Sequence, residues 1–265
     1  MNWHELTSPE IGALDREMPV IVPLGSCEQH GTHLPVCVDT LQLQGLVERL
    51  NSAMGDRVAI LPPLWLGASH HHLDFPGTVS VRPQIFSMIV SEIALCLLRQ
   101  GFRRLFFLNG HGGNLGPASQ ALGELIATND LADSSHIALA SWWALAAPAL
   151  ASEKLGMETP RLTHACEYET SLVLALREDL VKLAALDPQH VEKQRPWAAD
   201  PRWQGRVEGF RRFHRWTSSG HMGTPHLATA EKGEAILDGV TRTLVEFLED
   251  FRSWPDMESL RGKNP

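Results

Sequence analysis

The chain has 265 residues, 43% of them hydrophobic and 20% charged, and carries a net charge of −8. Such a chain buries a sizeable core without staples, which excludes intrinsic disorder, and its negative balance opposes a nucleic-acid partner. Four cysteines are too few for a disulfide scaffold, and there is neither a signal-peptide pattern nor an apolar run long enough for a bilayer, so a cytoplasmic protein with no membrane partner is expected.

Val20–Leu24 is a short apolar run ending at Gly25 and predicts a buried strand. Asp39 and Thr40 are suited to cap a helix through Leu41–Leu50. Val58–Pro62 predicts a second strand. Pro83–Gln100 carries Ile85, Ile89, Ile93 and Leu97 on one helical stripe and stops at Gly101. Arg104–Asn109 predicts a third strand, followed by a glycine-rich turn and a helix to about Ala127. His136–Ser141 predicts a fourth. A further helix starts near Glu167 or Glu169, and Ala230–Phe251 forms a long C-terminal one. Between them Pro188–Gly220, rich in Trp, Arg and Pro, reads as a long excursion or lid. Strands alternating with helices imply an α/β fold: a mostly parallel sheet with helices on both faces, a three-layer sandwich in one domain over residues 1–265. Ligands bind such sheets at the carboxyl ends of the strands.

The polar clusters stand at those ends, and 13 histidines are the unusual feature of the composition. After the first strand comes Glu28-Gln29-His30-Gly31-Thr32-His33, with Asp39 beyond it. Glu28 and His30, two apart, point the same way in an extended segment. A polar loop with an aspartate cap explains the same letters. After the third strand comes Asn109-Gly110-His111-Gly112-Gly113-Asn114, where glycines let backbone approach a ligand closely. A tight turn with an incidental histidine is the plainer reading. His164-Ala165-Cys166-Glu167-Tyr168-Glu169 precedes or opens a helix, and capping accounts for one of its glutamates. In Ser69-His70-His71-His72-Leu73-Asp74 neighbouring side chains diverge, so His72 and Asp74 are the candidates for lining a pocket.

Together the strand ends offer Glu28, His30, Asp39, His111 and Glu167. Two imidazoles and three carboxylates suit one or two divalent ions, Zn2+ or Mn2+ first and Fe2+ as a further option, and do not suit an all-oxygen Ca2+ site. A carboxylate such as Asp39 is able to bridge two ions about 3.5 Å apart.

Taken in order, PLGSCEQHGTHLPVCVD, FPGT, NGHGGN and HACEYETS, with a weaker continuation at AEKGE, resemble the creatininase family over most of the chain. The resemblance implies a creatininase-like α/β fold, a two-metal site, and hydrolysis of a C–N bond in a small cyclic or linear amide. It also implies a homo-oligomer, typically a hexamer. By position it implies Glu28, Asp39 and His111 for one ion, and His30 and a bridging Asp39 for the other. Creatininase itself has a glutamate where this chain has Gly113. Other branches carry a HAGE-type segment, and HACE here implies Glu167 as the remaining ligand. His164 matches the family's catalytic histidine, and Trp143 matches a family aromatic. Creatininase's tryptophan just before that histidine has no counterpart in Thr159–Thr163, which argues against creatinine as substrate.

In this reading His164 protonates the leaving nitrogen, Glu169 orients His164 or caps the helix, and Gly112 and Gly113 present N–H groups. Trp197, Trp203 and Trp216 cover the site, an oligomer contact or a peripheral core. Three competing readings are creatinine hydrolysis proper, a non-catalytic metal-binding protein of the same fold, and a metal-free hydrolase using Cys27. The last leaves Asp39, His111 and Glu167 without work.

Overall fold

The computed structural model describes residues 1–193, 202, 206, 207 and 209–260. The apolar runs form parallel strands β1 (Pro19–Leu24), β2 (Ala59–Ile60), β3 (Arg104–Asn109) and β4 (His136–Ser141), in the order β2-β1-β3-β4. Leu24 pairs with Asn109 and Asn109 with Ser141, so three strands end level and their following loops lie side by side. β2 is shorter than the predicted Val58–Pro62, because the two prolines that follow Leu61 cannot donate to a ladder. The chain nevertheless keeps following β1, with Leu61 and Leu64 donating to Ile21 and Pro23. Pro23 is tolerated in a central strand for the same reason. The missing N–H faces the β2 side, where pairing with Ala59–Ile60 has already ended.

Each strand is apolar on both faces. Ile21, Phe106 and Leu108 point to one layer, and Val20, Val22, Leu24, Leu105 and Phe107 to the other. Five long helices cover them: α1 (Val38–Met54), α2 (Pro83–Arg99), α3 (Leu115–Thr128), α4 (Glu167–Arg177) and α5 (Ala230–Ser253). α1, α4 and α5 pack on the first face through Leu43, Leu46, Leu172, Ile236 and Val240. α2 and α3 pack on the second through Phe86, Val90, Ala118 and Leu122. Each Leu, Ile, Val or Phe among them contributes about 1.5–3 kcal/mol relative to exposure. The three-layer α/β sandwich expected from the sequence is therefore present. The buried stripe of α2 is Phe86, Val90, Ala94, Leu97 and Leu98; of the predicted stripe only Leu97 is buried, Ile85 being exposed and Ile89 and Ile93 half-buried, because the larger Phe86 takes the core position.

Two local features place the site. α4 and α5 approach so closely at Gly233 that a Cβ there would stand 2.0 Å from the Ser171 carbonyl oxygen. The ends of the 188–220 excursion pair with each other, Lys193 donating to the Trp216 carbonyl (2.7 Å) and Ser218 to that of Val191 (3.1 Å). Trp216 is buried with Phe213 and Met222, while Trp197 and Trp203 fall outside the described residues. Among the described residues no helix is long and apolar enough to cross a membrane.

Candidate metal centre

The loop after β1 turns His30 so that its Nδ1 donates to the Glu28 carbonyl (3.1 Å). Its other nitrogen, Nε2, then faces Asp39 Oδ1 (3.2 Å) and Glu169 Oε2 (3.7 Å). Asp39 stands in the first turn of α1 and sends its carboxylate into the site instead of capping the helix. After β3, Asn109 holds the turn, donating to the His111 carbonyl (2.8 Å) and to Ser141 (2.9 Å) and accepting from the His111 N–H (3.1 Å). His111 Nε2 lies 3.2 Å from the Ser69 hydroxyl. His111 Nδ1 faces Glu28 Oε2 (3.3 Å) and Asp39 Oδ2 (3.2 Å).

His164 enters from the segment before α4. Nε2 of His164 donates to the Gln29 carbonyl (2.7 Å), which leaves Nδ1 3.5 Å from Glu28 Oε1. Ala165 follows at φ +50°, the one non-glycine residue with positive φ among the described residues. Its N–H donates to Glu169 Oε2 at 2.5 Å, which aims that carboxylate inward. Backbone strain of this kind gathers at functional sites.

The expected Glu28, His30, Asp39 and His111 thus converge, joined by His164 and Glu169. Glu167 does not join them. On an α-helix residues two apart diverge by about 200°, so Glu167 and Glu169 leave α4 on opposite sides. Glu167 is fully buried and takes Lys232 Nζ (2.5 Å) and the N–H groups of Glu158 (3.0 Å) and Thr159 (2.8 Å). Its charge is satisfied there, and the inward carboxylate of α4 is Glu169.

A cavity of about 230 Å³ opens over the cluster. Trp143, His72, Gly112 and Gly113 border it as expected, and so do His71, Leu162 and Phe213. Asp74 is not at this cavity; it pairs with Arg212 (2.9 Å) and His214 (2.8 Å) beside it. Gly113 has no room for a side chain, since a Cβ would lie 2.3 Å from the Ala68 carbonyl oxygen and 2.9 Å from the His71 ring. Gln29, not anticipated from sequence, lies 2.9 Å from His72 Nδ1 through its amide nitrogen. Cys27 lies apart from the lining, and burial raises its thiol pKa, which counts against a thiolate nucleophile.

The electrostatics are those of a cation site. Glu28, Asp39 and Glu169 are buried carboxylates, and the cavity lining holds no Lys or Arg. Glu28 Oε2, His30 Nε2 and Asp39 Oδ2 are buried without a hydrogen-bond partner. Buried charge of this kind is stable only when paired or bound to metal. Burial disfavours the proton on His30, yet Asp39, Glu169 and Glu28 raise its pKa to about 9. His111 is likewise raised, burial being outweighed by Glu28 and Asp39. Burial, helped by Asp39 and opposed by His30, pushes Glu169 up to about 7. His164 moves the other way, lowered by burial and then by His30 and His72, so it stands neutral. The donor atoms of His30, Asp39 and Glu169 lie within 4.8 Å of one another, as do those of Glu28, His71 and His111. These nitrogen and oxygen donors fit a divalent transition metal.

The Creatininase family model, creatinine amidohydrolase, matches residues 4–248. The chain belongs to the creatininase family. It is 29% identical over 257 residues to the 3-dehydro-scyllo-inosose hydrolase of Thermotoga maritima, covering 88% of this chain and 78% of that protein. It is 27% identical to the creatinine amidohydrolase of Pseudomonas putida, covering 87% and 88%. With the mycofactocin precursor peptide peptidase of Mycobacterium tuberculosis it shares 35% identity, over 46% of this chain and about half (51%) of that one. A zinc–zinc type mutant creatininase superposes with a TM-score of 0.75 at 27% identity, over 94% of this chain and 97% of its own. A manganese creatininase gives 0.72 at 27% identity, over 94% and 97%. These relatives are named as a hydrolase, an amidohydrolase, a peptidase and creatininases.

Proposed function

We propose that this family member is a metal-dependent amidohydrolase that cleaves the C–N bond of a small cyclic or linear amide with an activated water. One observation carries the reading. His30 Nε2 and the buried oxygens of Glu28 and Asp39 converge without a hydrogen-bond partner and with no Lys or Arg among them. Two divalent ions fit this donor set. Glu28, Asp39 and His111 would hold one, and His30, Asp39 and Glu169 the other, with Asp39 shared. Zn2+ and Mn2+ are the favoured ions, matching the zinc–zinc and manganese creatininases, and Fe2+ suits the same donors.

Bound there, such ions supply Lewis acidity, which acidifies water and polarises an amide carbonyl. The chain supplies the rest. The Gln29 carbonyl fixes the His164 tautomer, so that Nδ1 is the basic nitrogen facing the cavity. Being neutral, His164 takes a proton from the attacking water and hands it to the leaving nitrogen. Gly112 and Gly113 border the cavity and offer N–H groups to the developing oxyanion. Trp143 and His72 bound the substrate. This reading places the enzyme in the cytoplasm as one domain over residues 1–265, and as a homo-oligomer, with the family's hexamer the state to test by light scattering.

The test is a screen of small lactams, formamides and N-terminal amides with Zn2+ or Mn2+ added. Turnover that EDTA abolishes and added metal restores is expected. A purified protein that takes up no divalent ion from either solution would sink the reading.

A further inference from the structure

We propose that Phe213 is the aromatic wall that sets which amides enter the cavity, and that Asp74 is the positioning residue that holds it there; this rests on the metal-site reading above. Phe213 belongs to the excursion after α4, yet it is 7% exposed and lines the cavity. Its ring stacks on His72 at 4.3 Å and 24°, and meets His164 edge-on at 4.6 Å and 70°. It therefore touches the proposed proton carrier from the cavity side. The residues on either side of it, Arg212 and His214, both bind the same carboxylate, one on each oxygen of Asp74. Holding both chain neighbours fixes the direction in which Phe213 points.

The wall restricts the ligand. Phe213, Trp143 and Leu162 are the large apolar members of a lining otherwise made of carboxylates, imidazoles, glycines and a threonine. Small-molecule sites run from about 300 to 1,000 Å³, so 230 Å³ suits a compact ligand. Beyond the metal ions themselves, the lining has no Lys or Arg to pair with an anionic substituent. The substrate class is then a compact, uncharged amide with a flat apolar flank.

Hydroxamates, which chelate divalent ions, serve as probes on the zinc-loaded protein in calorimetry. Acetohydroxamate reads the metal alone, and benzohydroxamate adds a flat ring. Phe213→Ala and Phe213→Leu are expected to weaken benzohydroxamate about three- to tenfold, the scale of one aromatic contact, and to leave acetohydroxamate within about twofold. Asp74→Ala is expected to act in the same direction, and to add nothing in the Phe213→Ala background. Equal changes for both probes, or none, overturn the wall. A full additional loss in the double variant overturns the positioning role of Asp74. Failure of acetohydroxamate to bind the wild-type protein overturns the metal reading, and this inference with it.

Discussion

Glu167 and Glu169 show how two neighbouring carboxylates on one helix divide their tasks. Glu169→Gln should lower bound zinc, by elemental analysis, while leaving the melting temperature of the metal-free protein within a few degrees. Glu167→Gln should do the reverse, keeping the metal but costing about 1–3 kcal/mol of stability, because Lys232 loses its charged partner. His164→Ala should keep its metal and lose about 10²–10⁴ in turnover, a split that a ligand would not show. Clusters at strand ends made Glu28, His30, Asp39 and His111 legible from sequence alone. The choice between the two glutamates was not, because it depends on Lys232, 65 residues further on. Asp74 was misjudged in the same way, its partner Arg212 lying 138 residues away.

At the level of elements, the strands were readable because continuous apolar runs between turns have few other uses. The α4–α5 crossing was not, since Gly233 looks like any glycine near a helix start. Gly233→Ala should destabilise the fold by about 1–3 kcal/mol in urea titrations, because the Ser171 carbonyl is backbone and cannot swing aside. A loss of that size with unchanged metal content would separate packing from the site.

For the molecule as a whole, two buried histidines outside the metal cluster make folding sensitive to acid. Burial lowers His33 to about 3 and His221 to about 4, against about 6.5 in an unfolded chain. The unfolded state then binds more protons below pH 6.5, so their contribution is complete above that pH and is lost as pH falls towards 4. His33→Gln should therefore gain ground on the wild-type protein as pH drops from 7 to 5, measured as the difference in unfolding free energy. Added Zn2+ should raise the melting temperature, by the equivalent of about 2.7 kcal/mol at one hundred times its dissociation constant. The layered architecture was evident from the alternation of strands and helices. The inward course of the excursion to Phe213 was not, because a Trp-, Arg- and Pro-rich stretch carries no periodicity to follow.

The donors of the cluster come from segments far apart along the chain, beginning at Glu28 and ending at Glu169 of 265 residues. A growing polypeptide leaving the ribosome therefore has no complete cage until most of it has been made, and Lys232, which anchors the helix carrying Glu169, emerges later still. Metal acquisition by the proposed centre would thus be a late event in the life of each molecule, reserved for finished copies, and truncated products would compete poorly for a divalent ion.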